Sequence, residues 1–401
     1  MPTVMVIGAG TMGAGIAQTA AASGWSVLLR DVDEDVVRNA IDNITRRFDR
    51  LVEKGKLSAE QRDHCVTRLA AADSSNSDSA CALVIEAVAE NLDLKTRVLR
   101  DAAQANPSAI LASNTSSLSI TELGQGIGEP KRTVGMHFFN PVPLMPLVEV
   151  ISGKESATES VEKTTQIARE WGKTPAVARD TPGFIVNRVA RGYYLESLRM
   201  LGEGIAGVDE IDHVMKSLGG FRMGPFELMD LVGIDVNYTV SCSVFEQLGR
   251  PARLRPHPIQ KDLFEKKLLG RKTKQGFYTY QPEHPYPAVP VRRKSFECSE
   301  DVYAGVRLFC QAAIDGDGSI TEQYIVSRNL IAIINEAALA LDDAVATAED
   351  IDIAMKLGTN YPNGPIAWAE KIGRRTCRHL LDVLNRQVDD QRFTAAAWLR
   401  E

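Results

Sequence analysis

The chain has 401 residues, too many for one ordinary domain and enough for two or three, each with a sizeable core. It is 44% hydrophobic and 24% charged with a formal net charge of -6, which argues against nucleic acid as a partner, because a phosphate-binding surface shows a basic excess. Six scattered cysteines without CxxC spacing suggest neither a zinc ribbon nor a redox pair and read as free thiols of a reducing cytosol.

The chain opens on a short apolar run, Val4 to Ile7, followed by GAGTMGAG and an Ala-rich helical stretch from Met12 to Ser23. That start leaves no room for a signal peptide, and no run approaches the roughly 18 apolar residues needed to span a bilayer. A cytoplasmic protein without a membrane segment is expected. A second strand, Ser26 to Arg30, ends at Asp31, and a charged helical region runs from about Asp33 to Lys56. Apolar runs at Leu83–Ala87, Ala109–Ala112, Thr133–Met136 and Val148–Ile151 then alternate with helical segments, the pattern of a doubly wound α/β sheet.

After about Asp180 the strands stop, and helix follows helix from Phe184 to GFYTY at Gly276–Tyr280. Residues 281–300 are proline-rich and read as a linker. Beyond it, residues 325–373 repeat residues 185–233 at a constant offset of 140, pairing Arg188 with Arg328, Glu196 with Glu336, Asp212 with Asp352 and Pro225 with Pro365. The predicted plan is a Rossmann-type domain over 1–182, an all-α domain over 183–280, the linker, and a second, repeated all-α domain over 301–401.

The motif GAGTMG, Gly8 to Gly13, matches GxGxxG between a strand and a helix, and Asp31 ends the next strand 18 residues beyond Gly13. That context marks a dinucleotide fold. Gly8 permits the tight turn, Gly10 lets the backbone approach the pyrophosphate, and Gly13 lets the helix pack on the strand; Thr11 and Met12 complete the loop. Asp31 suits the ribose hydroxyls and repels a 2′-phosphate, favouring NAD over NADP, although Arg30 beside it can welcome that phosphate.

His137 ends one strand and Glu149 lies in the next. A turn through Pro141, Pro143 and Pro146 can bring them side by side. A carboxylate between Val148 and Val150 is costly to bury without a partner, and a histidine is the obvious one. The carboxylate fixes the imidazole tautomer and leaves the other ring nitrogen to accept a proton, as oxidation of an alcohol by hydride transfer requires. SNTSSLSI, Ser113 to Ile120, follows a strand at the edge where ligands bind in such sheets. Ser116 or Ser117 can hydrogen-bond the reacting oxygen and Asn114 can contact the nicotinamide region; a plain helix cap is the simpler alternative.

GAGTMGAG, IEAVAENLDLK, ASNTSSLSI, HFFNPVPLMPLVEV, DTPGFIVNR and MGPFELMDLVG occur in this order between Val4 and about Tyr280. Together they resemble the L-3-hydroxyacyl-CoA dehydrogenase family, close to its 3-hydroxybutyryl-CoA members. The resemblance implies NAD-dependent oxidation of an (S)-3-hydroxyacyl-CoA, as in β-oxidation and related lipid metabolism, with His137 and Glu149 as the catalytic pair and Ser116 and Asn187 holding the 3-oxygen. It also implies that Glu90, Lys95 and Asn140 lie around the nicotinamide ribose, with Lys272 on the cofactor side. The substrate's phosphates need cations: Arg46, Arg50 and Lys54 share one helix face, with Lys54 as the proposed contact and an ordinary solvated face as the alternative.

Ser327 stands in the repeat where Asn187 stands in the first copy, and no second nucleotide-binding half accompanies it, so the repeat is expected to be structural. The resemblance implies either a homodimer or a monomer with an internal pseudo-dimer. With no hydratase-like segment before Met1, a stand-alone dehydrogenase is expected. A 3-hydroxyadipyl-CoA dehydrogenase of aromatic breakdown is the alternative substrate reading. A free hydroxy-acid dehydrogenase, whose site relies on a lysine where Asn187 stands, and a non-catalytic NAD-binding protein are weaker ones.

Overall fold

The computed structural model describes residues 1–72, 81–280, 285–291, 293–294 and 297–400. The chain divides into two compact units, Met1–Phe184 and Ile185–Glu401.

The first unit runs β1 (Thr3–Ile7), α1 (Thr11–Ala22), β2 (Ser26–Arg30), α2 (Glu34–Glu53), α3 (Ala59–Val66), β3 (Leu69–Ala71), β4 (Leu83–Glu86), α4 (Leu92–Ala105), β5 (Ile110–Ser113), α5 (Ile120–Ile127), β6 (Thr133–Phe138), β7 (Leu147–Ser152), α6 (Thr158–Glu170) and β8 (Thr174–Arg179). Its eight strands form one sheet in the order β3-β2-β1-β4-β5-β6-β7-β8. Every pairing is parallel except β6 with β7. Successive strand residues face opposite sides, so Val4 and Val6 pack with Ile16, Ala17 and Ala20 of α1 on one face. Met5, Val84 and Leu111 pack with Leu99 of α4 and Leu123 of α5 on the other. Helices on both faces explain why β1, β4 and β5 are apolar at all but their end residues.

Two strands of this sheet escaped the sequence reading, β3 and β8. β3 has three residues and its two alanines are exposed. β8 carries Pro175 and is an edge strand, the place where a missing N–H is tolerated. Neither presents the apolar run that reveals a central strand.

The second unit holds α7 (Val186–Val189), α8 (Arg191–Glu203), α9 (Val208–Ser217), α10 (Pro225–Val232), α11 (Ile234–Gln247), α12 (Pro258–Glu265), β9 (Tyr278–Thr279), β10 (Tyr286–Pro287), α13 (Glu300–Ala313), α14 (Ile320–Asp342), α15 (Ala348–Thr359), α16 (Pro365–Ile372) and α17 (Arg374–Asn385). The small β9–β10 ladder corrects the expectation that strands end at about Asp180. Of the linker expected at 281–300, residues 281–284, 292, 295 and 296 lie outside the described residues. The expectation that no stretch has membrane-spanning length and apolarity is also corrected: α14, at 23 residues, meets both criteria, and 83% of its apolar stretch is buried within the fold. It is the central helix of this unit, and core burial explains its composition.

The repeat acquires a physical meaning in this unit. Arg188 Nε meets Glu336 at 2.8 Å and its Nη2 meets Asp343 at 2.7 Å. Reciprocally, Arg328 Nη2 meets Glu196 at 2.6 Å and its Nη1 meets Glu203. Each residue of one set stands 140 positions from its counterpart in the other. Such an exchange, in which i contacts j and j contacts i, is the signature of an isologous contact, made here within one chain. Helix caps repeat as well: Asp212 accepts from the amides of Phe226 and Glu227 at the start of α10, and Asp352 from those of Ile366 and Ala367 at the start of α16.

Candidate active site

In the first unit the candidate residues gather at the carboxyl edge of the sheet, beside β1, where the strand order reverses and ligands bind in this architecture. Gly8 leaves β1 with φ 105°, a conformation open to glycine, and a Cβ there would lie 2.6 Å from the Ala87 carbonyl oxygen. A Cβ on Gly13 would lie 1.7 Å from the Gly8 carbonyl oxygen, whereas one on Gly10 would meet nothing within 4 Å. Helix α1 begins at Thr11 with no side-chain cap and no acidic residue in its first turn. Its first amides therefore face the open ground above Gly10, which suits a pyrophosphate. The Asp31 carboxylate accepts from Ala9 N and Val32 N, both at 2.7 Å, and has lone pairs left for ribose hydroxyls. These residues fit NAD. Overpacking of the kind a Gly13→Ala side chain imposes costs about 1–3 kcal/mol. Fluorescence titration of that variant should show NADH binding weaker by about tenfold or more; unchanged affinity would remove the loop from the cofactor site.

The antiparallel register of β6 and β7 sets His137 directly opposite Glu149. His137 Nδ1 lies 2.7 Å from Glu149 Oε2, with the histidine 7% and the glutamate 0% exposed. Phe139 and Phe184 pack against the imidazole, with ring centroids 4.6 and 6.0 Å away. A carboxylate accepting the Nδ1 proton leaves the Nε2 lone pair as the basic position, and among the described residues Nε2 has no protein partner. The pair can therefore accept a proton and stabilise the imidazolium that results.

Beside it lies a charge cluster, buried at Glu86 and Lys95, whose hub the sequence reading missed. Glu86, at the end of β4, accepts from Lys95 Nζ at 2.7 Å, Ser113 Oγ at 2.7 Å and Val88 N at 2.6 Å. Lys95, 1% exposed, also reaches Glu90 Oε2 at 3.2 Å. The other Glu90 oxygen collects Thr115 Oγ1 at 2.6 Å, Ser116 N at 3.0 Å, Ser117 N at 3.1 Å and Ser117 Oγ at 2.9 Å. Burial pushes both carboxyls toward protonation. In Glu86 burial prevails and its pKa is raised; in Glu90 the Lys95 charge and the hydroxyl and amide donors outweigh burial and its pKa is lowered. The Lys95 ammonium, expected beside the cofactor, thus sits between two carboxylates, Glu86 and Glu90. The signal for the hub was a glutamate closing the apolar strand LVIE, readable only once its partner was in view.

Asn114 Oδ1 accepts from Phe138 N at 2.9 Å, which ties the serine loop to the histidine strand. Asn140 is exposed at the start of the proline loop, and Arg46, Arg50 and Lys54 are exposed on α2. Asp49, an acidic neighbour of these cations in the sequence, is committed to Arg62 of α3 at 2.8 Å. No described carboxylate pairs with Arg46, Arg50 or Lys54.

In the second unit the half-buried Asn187 accepts at its carbonyl from Arg191 Nε at 3.0 Å. Lys272 pairs with both oxygens of Asp235 at 2.5 and 2.6 Å, a partner that sequence reasoning did not supply. At the counterpart of Asn187, Ser327 is fully buried; its Oγ donates to Gln323 O at 2.6 Å and lies 3.1 Å from Cys310 Sγ of α13.

The chain resembles known proteins along its whole length. A family model described as "3-hydroxyacyl-CoA dehydrogenase, NAD binding domain" matches residues 3–181, and one described as "3-hydroxyacyl-CoA dehydrogenase, C-terminal domain" matches residues 183–280 and again 324–401. The chain is 37% identical to a 3-hydroxyadipyl-CoA dehydrogenase of Escherichia coli K12, over 100% of this chain and 97% of that one. A crystal structure of 3-hydroxybutyryl-CoA dehydrogenase from the same species superposes with a TM-score of 0.88 at 36% identity, covering 100% of this chain and 97% of that one. The (S)-3-hydroxybutyryl-CoA dehydrogenase of Ralstonia eutropha is also 36% identical, with a TM-score of 0.68, but covers 70% of this chain and 100% of its own.

Proposed function

The chain belongs to the 3-hydroxyacyl-CoA dehydrogenase family, NAD-dependent oxidoreductases acting on CH–OH, and on that premise we propose a residue-level mechanism for oxidation of an (S)-3-hydroxyacyl-CoA to the 3-oxoacyl-CoA. The observation that carries it is the buried His137–Glu149 pair at 2.7 Å. Ser116 and Asn187 hold the 3-hydroxyl. His137 Nε2 takes its proton as the C–H bond breaks, and Glu149 stabilises the imidazolium. The glycine loop and Asp31 would hold NAD, which would supply the acceptor for the hydride lost from C3. Glu90, fixed by Lys95, shapes the serine loop; Asn140 and Lys272 serve the cofactor side, and Lys54, with Arg46 and Arg50, takes the phosphates of coenzyme A. A 3-hydroxybutyryl-type chain is the main reading for the acyl group, with 3-hydroxyadipyl-CoA as the alternative that the E. coli relative's name supports.

The repeat is structural in this reading, because Ser327 is covered by α13 and offers no oxygen site. The reciprocal arginine–glutamate contacts favour a monomer with an internal pseudo-dimer over a homodimer. A cytoplasmic location goes with this reading.

Initial rates of NADH consumption with acetoacetyl-CoA, 3-oxooctanoyl-CoA and 3-oxoadipyl-CoA, with NADPH as control, test the proposal. Rapid NADH oxidation with at least one thioester is expected, and the ratios between them rank the acyl groups. Silence with all three, in protein that binds NADH, would overturn the thioester assignment.

A further inference from the structure

The loop between β6 and β7 has to hold its shape with few hydrogen bonds of its own. Pro141, Pro143 and Pro146 contribute no N–H, and the backbone bonds inside the loop run from Leu144 N and Met145 N to the Pro141 carbonyl at 2.9 and 3.0 Å. The loop nevertheless has three fixed neighbours. It leaves the histidine strand at Phe138, enters the glutamate strand at Leu147, and seats Val142 on the cofactor helix α1, where a Cβ on Gly15 would lie 2.9 Å from Val142 Cβ.

What supplies the missing bonds comes from outside the loop. Lys173, between α6 and β8, is 8% exposed and sends its ammonium to the carbonyls of both Val142 and Met145, the latter at 2.9 Å. Next to it, Thr174 N donates to the Pro146 carbonyl at 2.8 Å. No carboxylate pairs with Lys173 among the described residues. Burial pulls the lysine's pKa below its ordinary value, as it does for a cation withdrawn from water. A methionine would fill the same space without that cost. The charge therefore has an employment other than packing, and the two carbonyls it grips identify that employment.

We propose that Lys173 is a positioning residue for the dehydrogenase reaction, clamping the proline loop against the dinucleotide helix so that Asn140 is held for the cofactor and His137 stays in register with Glu149. The inference rests on the reading of Asn140 as a cofactor contact. A buried ammonium can grip two carbonyls at once because its three N–H groups radiate from one point. Loss of the clamp leaves both carbonyls without their donor and frees the loop to lift from Gly15. The acyl-CoA contacts assigned to Ser116 and Asn187 lie on other segments, so the defect should fall on the nicotinamide side.

The test uses the full-length enzyme with Lys173→Met, which keeps length and bulk, and Lys173→Arg, which keeps charge and donors. Activity of the parent with acetoacetyl-CoA and NADH checks the underlying dehydrogenase reading by itself; the variants check only the lysine. Expected for Lys173→Met are an NADH dissociation constant and KM raised at least about fivefold and a kcat lowered about tenfold, with the KM for acetoacetyl-CoA within about twofold of the parent. Lys173→Arg should recover most of the loss. A folded Lys173→Met enzyme with kcat and NADH affinity within about twofold of the parent would overturn the proposal, whatever its melting temperature, because a merely structural lysine lowers Tm alone. If Lys173→Met does not fold, Lys173→Leu, likewise without a donor, is judged by the same criterion.

Discussion

His137→Gln lowers kcat by about two to four orders of magnitude, the usual contribution of a positioned general base, while NADH binds with its parental affinity. The cofactor contacts lie on the glycine loop and at Asp31, and a glutamine can still meet Glu149 through its amide, so the fold of the β6–β7 pair survives. What disappears is the basic nitrogen. Glu149→Gln provides the complementary arm. Its amide can donate to Nδ1, which shifts the imidazole proton to Nε2 and leaves no lone pair facing the substrate; the same inversion of tautomer in a serine protease costs about four orders of magnitude. Pre-steady-state mixing of each variant with NADH and acetoacetyl-CoA separates chemistry from binding. Turnover near the parental rate in His137→Gln would end the proposed mechanism.

Much of this site was legible because its signals are local or periodic. The glycine loop announces itself by the strand before it, the helix after it and the acid closing the next strand. His137 and Glu149 are conspicuous because each interrupts an apolar strand, and only the antiparallel turn between those strands was needed to bring them together. The repeat at an offset of 140 residues even pointed to the residues that cross-link the two helical copies. What stayed hidden depends on partners distant along the chain and silent in pattern. Glu86 was one residue inside an apolar run, Leu83–Ala87, until Lys95, Ser113 and Val88 were seen around it. Lys173 sits in an unremarkable GKT, and its meaning lies in two carbonyls about thirty residues away. β8 was missed because its proline argues against a strand everywhere but at an edge.

The reciprocal contact in the second unit yields a stability prediction of comparable clarity. Glu196 is buried among three arginines: Arg328 Nη2 and Arg199 Nη1 at 2.6 Å, and Arg392 Nε at 3.5 Å. Burial alone would push its carboxyl up, but the guanidinium charges outweigh it and hold the pKa down at about 2. A folded-state pKa below the unfolded one means that the carboxylate stabilises the fold above the unfolded value of about 4.3. This stabilisation fades as pH falls through that value toward 2. Its size is about 3 kcal/mol, matching the usual cost of removing one partner from a buried ion pair. Glu196→Gln should therefore lower the unfolding free energy of the second unit by that amount at neutral pH, read as a lower urea midpoint with an unchanged slope, and the gap between variant and parent should narrow steadily on acidification below about pH 4. The narrowing is the discriminating feature. A loss of packing alone would be the same at every pH, whereas a charge held by Arg328 across the two copies must fade as the carboxylate of the parent takes up its proton.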